Sequence, residues 1–187
     1  FSLGPGRAAA ISLNFLPVNQ AIDFGEQASV DVVVADPGGN LIGAFDFFVN
    51  YDPAVISLSG LTFGTALGGP ADSLQDVVED PTGQVNVAEL SLLADLSGLQ
   101  DGISDVLLFS MTFTPVDAGT SALTFSENIL GIAGGFLGDA AGLPIELDSV
   151  GNGSITVVPV PGSIWLLGSA LAALAPFWAR RGRKLVR

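Results

Sequence analysis

The sequence predicts an all-β chain: an antiparallel sandwich of about eight or nine short strands, followed by a single C-terminal transmembrane helix. Three observations carry that reading. Apolar and polar residues alternate at period two through most of residues 11–158, as a strand with one buried face requires. Clusters of Gly, Pro, Asp and Asn break this pattern at short intervals, and no long helical pattern appears between them. Residues 162–179 then carry no charge at all, and a basic cluster follows directly.

The strands are justified one by one. ISLNFLP (11–17) and SVDVVVA (29–35) alternate around Leu and Val positions. In GAFDFFVNY (43–51), Phe45, Phe47, Val49 and Tyr51 fall on one face, with Asp46 and Asn50 on the other. AVISLSGLTF (54–63) and QVNVAELSLL (84–93) read the same way. In VLLFSMTFT (106–114), Leu107, Phe109, Met111 and Phe113 are expected inward, opposite Ser110, Thr112 and Thr114. TSALTF (120–125) puts Leu123 and Phe125 inward, and SITVV (154–158) closes the set. The turns are DPGGN (36–40), YDP (51–53), GGP (68–70), EDPTGQ (79–84), GLQDG (98–102), PVDAG (115–119) and GNG (151–153). In these, Pro fixes its own φ, Gly permits positive φ, and Asp or Asn bonds its own backbone. GFLGDAAGLP (135–144) reads as a long loop, and Asn152-Gly153-Ser154, although it fits a glycosylation sequon, reads as a turn.

Residues 1–10, FSLGPGRAAA, fit either the remnant of a signal peptide or a disordered tail. The expected organisation is therefore 1–10 as that leader segment, 11–157 as the sandwich and 158–187 as a separate tail.

Charge and composition narrow the function. Apolar residues make up 49% of the chain and charged ones 13%, which excludes a disordered polypeptide. All 19 acidic residues lie between Asp23 and Asp148, and no Lys or Arg occurs between Ala8 and Ala179. A body of that charge repels phosphate backbones, so nucleic acid is not a partner. Its acids must be solvated, bonded to backbone or bound to cations. The chain has no Cys and no His, which removes disulfides, thiol nucleophiles, imidazole bases and Ser-His-Asp machinery. No catalytic residues are assigned and the chain is read as a non-enzyme.

Two chemistries remain. A glycosidase needs two carboxyls about 5–9 Å apart, and Asp46 and Glu89, each in an expected strand, are the least loop-like candidates. Without supporting cations they read instead as outward strand positions or backbone partners. Calcium takes carboxylate and carbonyl oxygens, for which Asp36, Asn40, Asp76 and Asp80 are weak candidates. No stretch follows the spaced acidic ladder of an EF-hand loop, so the reading is no cofactor, with calcium as the one cation to consider. A sugar-binding row of exposed aromatics is not evident, since both Trp residues lie in the tail and the Phe residues mostly alternate inward.

SVDVVVADPGGNLIGAFDFFVNYDPAVISLSGLTFG (29–64) runs strand, loop, aromatic strand and Tyr51-Asp52-Pro53-Ala54-Val55, and LLFSMTFTPVDAGTSALTF (107–125) continues the pattern. In this it resembles the cohesin-like family of secreted, jelly-roll type β-sandwiches, related in fold to some carbohydrate-binding modules. The resemblance covers most of 11–158 and implies a binding module for a carbohydrate or protein partner.

The tail adds a second resemblance. Residues 162–179, as a helix rising 1.5 Å per residue, would span roughly 27 Å, close to the hydrocarbon core of about 30 Å. Trp165, Phe177 and Trp178 suit the interfaces, and Arg180, Arg181, Arg183 and Lys184 suit the cytoplasmic side. A core helix is the competing reading, but the strand-only body offers it no helix to pack against. Val158, Pro159 and Pro161, then Trp165-Leu166-Leu167, then the basic end 180–187, resemble in order the PEP-CTERM sorting signal of Gram-negative bacteria, closest to its VPLPA-type variant. Val160 stands where the commonest form has Glu, and Gly162 where the variant has Ala. The resemblance implies processing by exosortase, a transient stay in the inner membrane, and delivery to the cell surface or extracellular polymer. The expected function is thus a non-catalytic surface or matrix protein, structural or adhesive in exopolysaccharide and biofilm. The alternative is a carbohydrate- or protein-binding module.

Overall fold

The computed structural model describes residues 10–126 and 135–159. These form two β-sheets packed face to face, built from twelve strands and one single-turn helix. In chain order the strands are β1 (Ser12–Leu16), β2 (Asn19–Asp23), β3 (Ala28–Ala35), β4 (Ile42–Asn50), β5 (Ile56–Phe63), β6 (Ser73–Asp80) and β7 (Gln84–Ser91). After α1 (Ser97–Gln100) come β8 (Asp105–Pro115), β9 (Gly119–Ser126), β10 (Phe136–Asp139), β11 (Ser149–Val150) and β12 (Gly153–Val158). One sheet has the order β11-β1-β3-β8-β5; the other has β2-β12-β9-β4-β7-β6, with β10 also on β4.

The chain switches sheets at once. β1 ends at Pro17, which has no N–H to continue a ladder, and β2 starts in the opposite sheet. β1 pairs in parallel with β11, and β2 in parallel with β12, so the first strands are held by the last ones. All other pairings are antiparallel. β9 and β10 dock on successive halves of one edge of β4, Ser126 opposite Phe48 and Phe136 opposite Asp46.

Period-two alternation is what fills the core. Phe45, Phe47, Val49 and Tyr51 are buried as expected, and they meet Phe109, Met111 and Phe113 from the other sheet. The rings interlock: Phe45 lies 5.7 Å from Phe109, Tyr51 meets Phe113 edge-on at 5.4 Å, and Phe15 stacks on Phe125 at 4.3 Å. Contacts of this kind add about 0.5–1.5 kcal/mol each beyond simple burial.

The structure departs from the expected pattern in four places. Among the described residues the strand count is twelve rather than eight or nine, because β2, β6, β10 and the two-residue β11 do not advertise themselves by alternation. The stretch 135–144 is not a plain loop, for Phe136–Asp139 pairs with β4 and Leu137 is buried. The first three residues of GLQDG belong to a turn of helix, α1. Finally, Leu107 is exposed rather than inward. A bulge in β8 leaves Leu108 unpaired between Val32↔Phe109 and Val33↔Leu107, which reverses the parity and buries both Leu108 and Phe109.

α1 is fixed to the sandwich by its last residue. Buried Gln100 accepts from the Ile42 N–H at 2.7 Å and donates to the carbonyls of Ile42 (2.7 Å) and Ala66 (2.9 Å). Its amide thereby ties the start of β4 to the chain after β5.

Among the described residues no helix is long and apolar enough to cross a membrane. The expected helix at 162–179 lies outside them.

Candidate functional site

The two outer faces of the sandwich differ in chemistry. Over the middle of the β1-β3-β8-β5 sheet the outward positions are hydroxyls and one acid: Ser57, Thr62, Ser110, Thr112 and Asp31, with Ser110 donating to Asp31. The outer face of β4, β7 and β6 is instead a set of cross-strand rows. Register places Ala44, Leu90 and Leu74 in one row and Asp46, Ala88 and Asp76 in the next. Phe48, Asn86 and Val78 form a third, and Asn50, Gln84 and Asp80 a fourth.

Leu74 is 60% exposed, Val78 56% and Leu90 46%, although each sits in a strand. Beside them Phe136 of β10 faces the same way, its ring folded over Gly138, where a Cβ would meet the ring at 2.8 Å. Ala44, Ala88, Leu74, Leu90, Asp76 and Phe136 line a shallow depression of about 370 Å³. Two small residues make its floor and larger apolar ones its walls. An exposed apolar patch within a regular sheet is the ordinary mark of an interaction surface.

The polar side chains of this face are bonded to one another, within and between rows. Asn86 donates its side-chain N–H to Asp46 Oδ1 at 2.6 Å, and Gln84 donates to Asn50 Oδ1 at 2.8 Å. Phe48 stands half-buried on this face, but it and Phe136 lie in different rows and do not make a coplanar aromatic strip.

The two carboxyls considered for catalysis do not converge. Asp46 faces outward as expected. Glu89 does not: it pairs with Phe45, turns inward and is 2% exposed. Its Oε1 accepts from the Ser73 hydroxyl at 2.6 Å and the Gln75 amide at 2.8 Å, while Oε2 has no hydrogen-bond partner. A sheet separates the two carboxyls, so no glycosidic bond can lie between them.

The calcium candidates are also dispersed. Asp36 and Asn40 belong to the turn after β3, in which Asn40 bonds back to the Pro37 carbonyl through both its backbone and its side chain. Asp76 and Asp80 are not in a loop but in the edge strand β6, where four residues of rise separate them by about 13 Å. The Asp80 carboxyl is held below the usual carboxylate range by the Thr82 hydroxyl and N–H, the latter at 2.8 Å. Among the described residues no three acidic groups gather as a cation cage.

Beside that turn, the Tyr51 hydroxyl donates to Glu79 Oε1 at 2.7 Å. Burial, reinforced by that bond and the nearby carboxylate charge, pushes the phenol up to about 12. Of the sorting-motif residues, Val158 ends β12 and Pro159 follows it, both exposed. Pro161, Trp165, Arg180, Arg181, Arg183 and Lys184 lie outside the described residues.

The apolar rows on β6 and β7 were not found from sequence. The signal that could have found them is parity along β7: Leu90 lies an odd number of residues from Val87, which fixes it on the solvent side if Val87 is core.

Comparison with known proteins bears on all of this. A family model described as "Cohesin domain" matches residues 15–157. Comparison with curated proteins gave no match. Among solved structures, the chain is similar to a type II cohesin domain from the cellulosome of Acetivibrio cellulolyticus. That pair has 17% identity and a TM-score of 0.64, covering 79% of this chain and 95% of the other. It is also similar to CaCohA2 from Clostridium acetobutylicum, with 20% identity, TM-score 0.59, and 81% and 92% coverage. A third is the sixth cohesin of Acetivibrio cellulolyticus scaffoldin B, solved in complex with a Cel5 dockerin. It has 18% identity, TM-score 0.60, and 81% and 99% coverage. At these identities the structural likeness speaks for the fold.

Proposed function

The chain belongs to the cohesin domain family, and from that premise we propose that the sandwich is a non-catalytic protein-binding module whose partner seats on the outer face of β4, β7 and β6. The observation that carries this is the contrast between the two outer faces. One offers Leu74, Val78 and Leu90 to solvent around a small-residue floor; the other offers mainly hydroxyls and Asp31 over its middle, with Leu16 and Leu107 also exposed. The dockerin complex of the scaffoldin B cohesin supports a partner of dockerin type for this chain as well. Calorimetric titration of the protein with a panel of dockerin modules tests the reading. A binder is expected, and Leu90→Asp should abolish its binding without lowering the melting temperature. Full binding by that variant would place the partner elsewhere.

The proposal extends to where the module works. Residues 158–187 act as a PEP-CTERM-type sorting signal that exosortase reads. The module is thereby exported, held transiently in the inner membrane of a Gram-negative bacterium, and presented at the cell surface or in extracellular polysaccharide, in a structural or adhesive role. Support comes from the order of the Pro-x-Pro motif, the uncharged run and the basic end, and from a body without Lys or Arg between Ala8 and Ala179. Fusing residues 154–187 to a periplasmic reporter should give processing and release only in cells that contain exosortase; release without it would refute the sorting role.

A further inference from the structure

The geometry points to a cationic partner: we propose that the Asp46–Ala88–Asp76 row receives a lysine or arginine that the partner carries next to an apolar anchor. This rests on the protein-binding reading above and names the chemistry of the same face.

Asp46 and Asp76 flank Ala88 in register, on the same side of the sheet. Two strand spacings put their Cα atoms about 10 Å apart, with only a methyl group between them. A long basic side chain laid over Ala88 reaches both carboxylates, and a guanidinium has the five donors to serve two acceptors at once. Asp46 uses one oxygen on Asn86, and among the described residues the other has no donor. Asp76 is exposed, and among the described residues its carboxylate has no hydrogen-bond donor. The next row along the strands, Ala44–Leu90–Leu74, is apolar and lies two residues away, about 7 Å. An apolar side chain and a cation one helical turn or two extended residues apart would therefore engage both rows together.

No group of the sandwich itself can supply that charge, because residues 8–179 contain no Lys or Arg. The same fact argues against a second copy on this face. β6 is an edge strand, and pairing it with itself would bring Asp76, Glu79 and Asp80 against their own kind. Charged edge positions of that sort oppose edge-to-edge association. The long-range field of the acidic body favours a partner of opposite charge and raises its encounter rate.

The test uses the full chain and two synthetic amphipathic helical peptides, one of Leu and Lys and the other of Leu and Glu. The Leu–Lys peptide should bind, and its affinity should fall as salt shortens the screening length from about 30 Å at 0.01 M to about 8 Å at 0.15 M. Ala88→Arg, which places a cation between the two acids, and the pair Asp46→Asn with Asp76→Asn should each weaken binding about tenfold. A charge-matched control outside the rows of this face, Asp101→Asn with Asp105→Asn, should not. If the control weakens binding equally, only net charge is being sensed and the site is refuted. If the Leu–Glu peptide binds and needs Leu90, the apolar face stands but its cationic partner falls. If neither peptide responds to any change on this face, both the face and the cation site fall.

Discussion

Asp46 and Glu89 occupy adjacent strands one residue out of register, and that single step puts them on opposite faces of one sheet. Their energetic roles separate accordingly. Asp46→Asn, on the solvent side and still able to accept from Asn86, should change stability by less than about 0.5 kcal/mol. Glu89→Ala strips the acceptor from Ser73 and Gln75 and opens a void in the buried layer, and should cost about 1–3 kcal/mol. Urea denaturation of the two variants checks the ordering.

Tyr51 gives a prediction that a single chromophore can report, because the chain has one tyrosine. Its phenol ionises near 12 in the folded protein against 10.0 ordinarily. The folded state therefore holds the proton more tightly. The stability contributed by the protonated, buried phenol is fully present below pH 10 and is lost as pH rises toward 12. The ultraviolet absorbance of tyrosinate should titrate near 12 in the native protein and near 10 in denaturant. Tyr51→Phe should remove this alkaline loss of stability from the unfolding curves.

Gln100 should prove costly to remove for its size. Gln100→Ala leaves one N–H and two carbonyls at the start of β4 and in the chain after β5 without partners, at a cost of about 1–3 kcal/mol. Amide hydrogen exchange at Ile42 should accelerate in the same variant, while exchange at Val87, in the middle of β7, should not.

Divalent cations should leave the sandwich unmoved. Asp76 and Asp80 are too far apart along β6 to share one ion, and the Asn40 side-chain amide is committed to the Pro37 carbonyl. Melting temperatures with excess calcium and with chelator are expected to coincide. A rise of several degrees with calcium would reveal a cage that these residues do not form.

The readable parts of the sequence were those where one face is buried and the other wet. β4 shows this well: Phe45, Phe47 and Val49 are core and Asp46 and Asn50 are not, so burial imposes the alternation. β6 lies at a sheet edge with seven of its eight residues exposed, so nothing forces a pattern onto SLQDVVED. β2 hides for a similar reason, Ile22 being its one buried residue. Leu107 was misplaced because a bulge depends on how β8 pairs with β3, which no local window contains. Glu89 is different. It shares parity with Val85 and Val87, so its inward direction was written in QVNVAEL, but a carboxylate among core positions is an improbable choice until Ser73 is brought beside it by the fold. The depression on the outer face joins residues from β4, β6, β7 and β10, and needs the strand order before it exists at all.

The parallel pairing of β2 with β12 also determines how the domain bears mechanical load. Pulling on the chain beyond Pro159 drags β12 along its own axis, while a counter-pull from the N-terminal side is taken first by β1 on β3 and β11 and then reaches β2 in the opposite direction. The paired residues from Asn19↔Ser154 to Asp23↔Val158 then resist together, in shear, and do not peel apart one at a time. A module tugged through its C-terminal end would hold its shape until that whole ladder slips.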